Sequence, residues 1–301
     1  MRGIVVGVNG STESDEALDW AITEAASRQV PLTAVLAWQP GSRNAEPADF
    51  AAALERKREE ALTILDRARQ RTGLDVEASV DAPHGPAADA LLGFADGDAD
   101  MLVLGRRRRG RLGRMVLGSV SSSVVENATI PVTVVRGRQD AADVPADEPA
   151  AEPEAAPADA RPRVVVGVDT SLPSVAAIRH GGEVARRTGS TLEVLFAWQI
   201  TTLAPLPGSW GWAPPIDDYA TFAAEQLAAA VASAGIELPA DRLVQTVVHG
   251  PAAAQLVAAS ATADRLVVGA RGLGGFDRLL LGSVSRQVLD YASCPVTVVR
   301  H

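Results

Sequence analysis

In 301 residues the chain carries one cysteine, Cys294, and one lysine, Lys57. A single thiol closes no internal disulfide, and no charged-then-apolar leader precedes the first strand-like segment, so a reducing cytoplasm is the expected setting. Lys57 lies outside any glycine-rich stretch, which removes a phosphate-gripping P-loop lysine, and no second lysine remains for a Schiff base. Cysteine and histidine form no cluster with metal-ligand spacing. No apolar run approaches the ~18 residues of a membrane-spanning helix, so no membrane partner is expected. Basic charge is not in excess: the formal net charge is −9, which argues against a general nucleic-acid binder.

What the chain does have is apolar material, 47% hydrophobic residues against 22% charged, and length for about two domains. It also repeats itself. Ile4-Val5-Val6-Gly7-Val8-Asn9-Gly10-Ser11 returns as Val164-Val165-Val166-Gly167-Val168-Asp169-Thr170-Ser171. Ala37-Trp38-Gln39 returns as Ala197-Trp198-Gln199, and His84-Gly85-Pro86 as His249-Gly250-Pro251. Leu117-Gly118-Ser119-Val120-Ser121 returns as Leu281-Gly282-Ser283-Val284-Ser285, and the closing Pro131-Val132-Thr133-Val134-Val135-Arg136 as Pro295-Val296-Thr297-Val298-Val299-Arg300. The order is kept throughout, so the chain reads as domain 1 over residues 1–137, a linker over 138–162 and domain 2 over 163–301. The linker is rich in proline, alanine and acids and has little to bury. Its functional alternative is an acidic docking arm.

Within the first copy, segments 2–8, 32–38, 75–80, 100–105 and 132–136 read as strands, several of them almost uninterrupted Val, Leu and Ile, the pattern of strands covered on both faces. Helical stripes lie between them: Ala17, Leu18, Ala21, Ile22 and Ala25 mark one, Leu54, Ala61, Leu65 and Ala68 another. Further helices are expected near 86–95 and 119–128. Strand alternating with helix predicts an α/β fold, a doubly wound parallel sheet in each copy.

Open parallel sheets bind ligands beyond the carboxyl ends of their strands, where strand order reverses. There the second copy has Gly167-Val168-Asp169 after its first strand, Val268-Gly269-Ala270-Arg271-Gly272 after its fourth, and Gly282-Ser283 opening its last helix. Glycines let backbone amides approach an anion, a helix start offers unbonded N–H groups, and Ser283 and Ser285 add hydroxyl donors. The plain alternative is that Gly269 turns the chain and Ser283 caps a helix.

The order Gly269, two residues, Gly272, nine residues, Gly282-Ser283-Val284-Ser285, followed by Cys294-Pro295-Val296-Thr297-Val298-Val299, resembles the nucleotide-binding signature of universal stress proteins. With the Gly-Val-Asp strand end at 167–169, the resemblance spans both copies and leaves out mainly the linker. The resemblance implies a tandem two-domain protein of that family, with two doubly wound domains, each a five-stranded parallel sheet flanked by helices. It also implies ATP in the crevice between the first and fourth strands, with Mg2+ as a possible companion. Carried over to this chain, it places Asp169 beside the adenosine, Gly167 and Val168 on the pocket floor, and Trp198 against adenine. Val268, Gly269 and Gly272 then line the closing loop, and Gly282, Ser283, Val284 and Ser285 meet the phosphates. Arg271 either neutralises phosphate charge or is a solvated loop residue.

The corresponding first-copy residues are Gly7, Asn9, Gly105, Gly118, Ser119, Val120 and Ser121. Two departures mark that copy: Asn9 replaces the carboxylate of Asp169, and Arg108 stands where Gly272 stands, inside the run Arg106-Arg107-Arg108-Arg109. Either arginine forks grip the phosphates there or the site has decayed, and ATP is expected to bind domain 2 more strongly.

His84 and His249 are expected to serve the turn rather than catalysis, and Cys294 to fill core. Trp210 and Trp212 form a lid, a partner surface or local packing. The leading reading is an ATP-binding stress-response regulatory protein with a protein partner of unknown identity. The alternatives are a slow ATPase or adenine nucleotide hydrolase, and a nucleotide-free dimerising scaffold. The terminal strands at 132–136 and 296–300 are expected to join the copies into an internal pseudo-dimer, with a homo-oligomer beyond it.

Overall fold

A computed structural model describes residues 3–39, 47–97, 99–106, 117–136, 161–169, 171–199, 216–272 and 281–300. The linker core, Arg107 to Arg111, Trp210 and Trp212 lie outside the described residues. The chain divides into two compact units, Met1–Asp140 and Ala141–His301.

In the first unit the elements follow as β1 (Gly3–Gly7), α1 (Thr12–Arg28), β2 (Leu32–Val35), α2 (Pro47–Thr72), β3 (Ala78–Asp81), α3 (Ala87–Ala95), β4 (Ala99–Gly105), α4 (Ser119–Asn127) and β5 (Val132–Val135). The strands are all parallel, in the order β3-β2-β1-β4-β5. The second unit repeats the plan with β6 (Arg163–Val168), α5 (Leu172–Thr188), β7 (Thr191–Trp198), α6 (Ile216–Ala234), β8 (Leu243–His249), α7 (Ala252–Ala259), β9 (Arg265–Gly269), α8 (Ser283–Tyr291) and β10 (Val296–Val299), and its parallel order is β8-β7-β6-β9-β10. In each unit the chain steps outward from the first strand, then crosses back to its other side. The reversal falls between β1 and β4, and between β6 and β9.

The third strand starts at Ala78 rather than near 75, because pairing begins opposite Leu32, the first residue after Pro31 to enter β2. The second strand is interrupted after Val35 and pairs again only at the Trp38–His84 bridge, whereas its counterpart β7 runs unbroken to Trp198, paired with His249.

Even-numbered residues of the first two strands, Ile4, Val6, Leu32, Ala34 and Leu36, enter one core with Leu18, Ile22, Ala61 and Leu65 of α1 and α2. The second unit builds the same layer from Val164, Val166, Leu192, Val194 and Phe196 against Ile178, Ala223 and Leu227. Period-two alternation sends the odd-numbered residues to the opposite face, where the third and fourth helices of each unit lie. Gly167 sits on that face. A Cβ there would lie 2.6 Å from Leu256 Cδ1, so the glycine lets α7 approach β6. In α5, a Cβ on Gly181 would overlap Val166, and the missing side chain brings that helix down on the sheet.

Serines set the starts of α1 and α5. Ser11 and Ser171 each accept a hydrogen bond from the amide three residues on, at 3.3 and 3.4 Å. No helix among the described residues is long and apolar enough to cross a membrane.

Candidate functional site

The crevice over each strand-order reversal is built from three chain segments: the exit of the first strand, the exit of the fourth, and the start of the last helix. In the second unit, β6 ends into Asp169, whose Oδ1 accepts from Ser171 Oγ at 2.6 Å, Ser174 Oγ at 2.6 Å and the Ser171 amide at 3.2 Å. The Asp169 amide in turn donates to Ser174 Oγ at 3.0 Å. Ser171, which caps α5, and Ser174 in its first turn therefore also aim the carboxylate. Gly272 lies against its other oxygen: a Cβ there would overlap Asp169 Oδ2. Arg271, beside it, is exposed.

The last helix is joined to this loop by two bonds. The Gly282 amide donates to Ala270 O at 2.8 Å, and Ser285 Oγ donates to Gly269 O at 2.7 Å. Two expectations are thereby corrected. The Ser285 hydroxyl proton and the Gly282 amide hold the helix start to the strand exit, because each has a carbonyl within bonding reach, and neither is left to meet a phosphate. What remains for an external acceptor is the first turn of α8. Its intrahelical ladder opens with Arg286 N to Gly282 O at 3.0 Å, so the amides of Ser283, Val284 and Ser285 have no acceptor within the helix.

Gly282 as N-cap supplies no side-chain oxygen to satisfy them, unlike Ser171 at the start of α5. The first unit repeats this. Gly118 caps α4 without a side-chain bond, Ser122 N bonds Gly118 O at 2.8 Å, and Ser121 Oγ reaches Gly105 O at 3.4 Å.

In the first unit a cavity of about 480 Å³ occupies the crevice. All seven first-copy residues read from the sequence line it: Gly7, Asn9, Gly105, Gly118, Ser119, Val120 and Ser121. Asn9 keeps part of the Asp169 arrangement, its Oδ1 accepting from the Ser11 amide at 3.0 Å. Val35, Ala37, Ala87 and Leu91 line it too, as do Leu104, the counterpart of Val268, and Glu13. The sequence reading missed most of these. Alternation along β2 was the signal that pointed to Val35 and Ala37.

The same alternation corrects the place given to Trp198. Trp198 shares parity with the core residues of β7 and enters their core, on the face opposite the crevice. Trp198 is 3% exposed, stacked on Tyr219 at 6.2 Å and packed against His249 at 4.7 Å. Trp38 donates Nε1–H to Ala82 O at 2.9 Å and packs against His84 and Phe50. The neighbouring alanine, Ala37 in the first unit, is the crevice residue.

His249 ends β8, and His84, beyond the end of β3, makes the isolated bridge with Trp38. The glycines behind them take φ of +138° and +144° to turn into the next helix, and their amides bond Trp38 O and Trp198 O at 2.9 Å. Cys294 is buried, and burial pushes its thiol up to about 12. Among the described residues no group of three or more His, Cys, Asp or Glu gathers to hold a metal ion. Arg108 lies outside the described residues.

The model of the universal stress protein family matches the chain twice, over residues 1–136 and 161–300. A universal stress protein of Mycobacterium tuberculosis strain H37Rv is 34% identical over 308 residues, covering 99% of this chain and 97% of its own. One from Mycolicibacterium smegmatis is 31% identical over 314 residues, with 99% and 97% covered. Among solved structures, a universal stress protein from Archaeoglobus fulgidus superposes with a TM-score of 0.68 at 17% identity, covering 99% of this chain and 98% of that one, which supports the fold alone. Two copies of one doubly wound unit, each with a glycine-capped last helix over the strand-order reversal, and a family model that fits each in turn, make this chain a tandem member of the universal stress protein family.

Proposed function

We propose that the chain binds adenine nucleotide, ATP in the first instance, in the crevice of each domain, and that it acts by binding as a stress-response regulator rather than by turnover. The observation that carries this is the cavity of about 480 Å³ whose wall is formed by Gly105, Gly118 and the first turn of α4. The amides left without intrahelical acceptors open on a space of ligand size, and the positive end of the helix dipole favours the anion there. The apolar residues Val8, Val35, Ala37 and Leu91 line the same cavity and suit a base. In this reading Gly167, Val168, Val268 and Gly269 frame the equivalent crevice of the second domain, Asp169 meets the nucleoside, and Ser283, Val284 and Ser285 present amides to the phosphates. Mg2+, where it accompanies the nucleotide, rides on phosphate oxygens.

We place the tighter site in the second domain, because Asp169 is a full carboxylate held by three donors whereas Asn9 accepts from one among the bonds described. Calorimetric titration of ATP into the full chain, and into Gly272→Ala and Gly118→Ala variants, tests the reading. Greater loss from Gly272→Ala supports the second-domain preference, and equal loss removes it. Absence of binding by the parent chain removes the nucleotide reading altogether.

A further inference from the structure

The last helix of each domain starts on a glycine, so no cap side chain fixes the direction of its first-turn amides. In α8 that task falls to a residue inside the turn. Ser285 is the buried residue of the first turn, 5% exposed, whereas Ser283 is exposed and Val284 half-buried; the next buried residues are Val288 and Leu289. Ser285 Oγ donates at 2.7 Å to Gly269 O, and Gly269 pairs with Val299 inside the sheet. The hydroxyl thus fastens the helix start to a residue held by the ladder, at a place where water is excluded and does not replace a lost bond. In the first domain the corresponding Ser121 is likewise buried in the first turn of α4, but its Oγ stands 3.4 Å from Gly105 O, past the usual length of an O–H···O bond.

We propose that Ser285 is a positioning residue for the phosphate end of the second-domain crevice: its bond to Gly269 O holds the Ser283, Val284 and Ser285 amides in the direction in which they meet phosphate. Its hydroxyl touches no ligand in this arrangement. The inference rests on the nucleotide reading given above and adds to it the group that preorganises the amides. A glycine-capped helix start frays, and amides that must be re-aimed on binding subtract from affinity, whereas a start fixed beforehand does not carry that cost. The nucleoside end does not depend on this bond, because Asp169 is held separately by Ser171 and Ser174 at the exit of β6. Ser285 therefore acts on phosphate-bearing ligands and not on adenosine, and its effect exceeds that of Ser121, whose contact is the longer.

The test is calorimetry of the full chain with ATP and with adenosine, for the parent, Ser285→Ala, Ser285→Thr and Ser121→Ala. Hydrogen exchange of residues 117–127 and 281–291 over the same ATP titration assigns each binding step to a domain, and circular dichroism confirms that each variant folds. Ser285→Ala is expected to lower the ATP affinity of the second domain about tenfold and to leave the adenosine affinity within about twofold of the parent. Ser285→Thr keeps the hydroxyl and should bind ATP as the parent does. Ser121→Ala should lower the ATP affinity of the first domain by a smaller factor than Ser285→Ala lowers that of the second. Parent-like ATP affinity in Ser285→Ala, equal losses for ATP and adenosine, a folded Ser285→Thr as weak as Ser285→Ala, or an equal loss from Ser121→Ala overturns the positioning role and leaves the nucleotide reading intact. If Ser285→Ala does not fold, Ser285→Cys, close in size and a weak donor, takes its place under the same criteria. A parent chain that binds neither ligand overturns the nucleotide reading itself.

Discussion

Gly272 lies against Asp169 so closely that a single added Cβ would overlap the carboxylate oxygen Oδ2. Alanine at position 272 must displace either the loop or Asp169, whose other oxygen is fixed by Ser171 and Ser174. We expect Gly272→Ala to weaken ATP binding at the second domain by tenfold or more, about 1.4 kcal/mol. The thermal midpoint should change little, because Gly272 is exposed. A calorimetric titration beside a melting curve separates the two effects.

Asp169→Ala is expected to cost stability as well as binding. Two serine hydroxyls lose their acceptor, a loss of about 1–3 kcal/mol for part-buried donors, while Asp169→Asn keeps an acceptor at Oδ1 and should cost less. Urea denaturation of the two variants checks the order. An Asn variant that is the less stable of the two refutes it.

Gly167→Ala is expected to overpack the contact between β6 and α7. Its Cβ would lie 2.6 and 2.8 Å from the two methyl carbons of Leu256, which is itself 3% exposed. The cost should be about 1–3 kcal/mol, partly recovered by adding Leu256→Val, which shortens the opposing side chain. Thermal melts of the single and double variants test this, and the absence of recovery would mean that the strain lies elsewhere.

The Arg163–Glu193 ion pair, on the first two strands of the second unit, is joined by Thr246 and Thr262, with Thr246 Oγ1 2.8 Å from Glu193 Oε1. Glu193 is 9% exposed and Arg163 31%. Glu193→Ala leaves a partly buried guanidinium without its carboxylate and should cost about 2–3 kcal/mol, less than a fully buried pair because water reaches Arg163. Glu193→Ala and Arg163→Ala combined should cost less than the sum of the two singles, a coupling that denaturant titration of all three variants would expose.

Cys294 is expected to give stability an alkaline limb. Burial raises its thiol from 9.0 to about 12, so between those values the unfolded chain has lost a proton that the native state keeps. The unfolded state binds fewer protons there, and stability falls as pH rises, by up to about 1.4 kcal/mol per pH unit from this group. Below pH 9 the group contributes no slope. Replacing Cys294 with Ala should flatten the alkaline limb, and a thiol reagent at pH 8 should label the parent only as it unfolds.

The fold was legible because its signals are local. Uninterrupted Val-Val-Val and Val-Thr-Val-Val runs mark strands buried on both faces, and the exact repetition of Gly-Ser-Val-Ser and His-Gly-Pro divides the chain into two copies of one plan. Gly105, Gly118 and Asn9 were recognisable as a group because the parallel topology must bring strand exits and helix starts to one end of a sheet. The side-chain assignments fared less well. Trp198 and Ala197 are neighbours in sequence, and only packing against Tyr219 and His249 shows which of them enters the core.

The sequence by itself determined the duplication, the parallel doubly wound plan and the glycine-capped last helices, since periodicity and backbone freedom are properties of short stretches. The tertiary structure alone decided which side of each strand meets the crevice, that Ser285 and the Gly282 amide are held by carbonyls of the preceding strand exit, and that Glu13 lines the first-domain cavity. Those outcomes depend on groups far apart in the chain arriving within bonding distance, and no local pattern encodes such a distance.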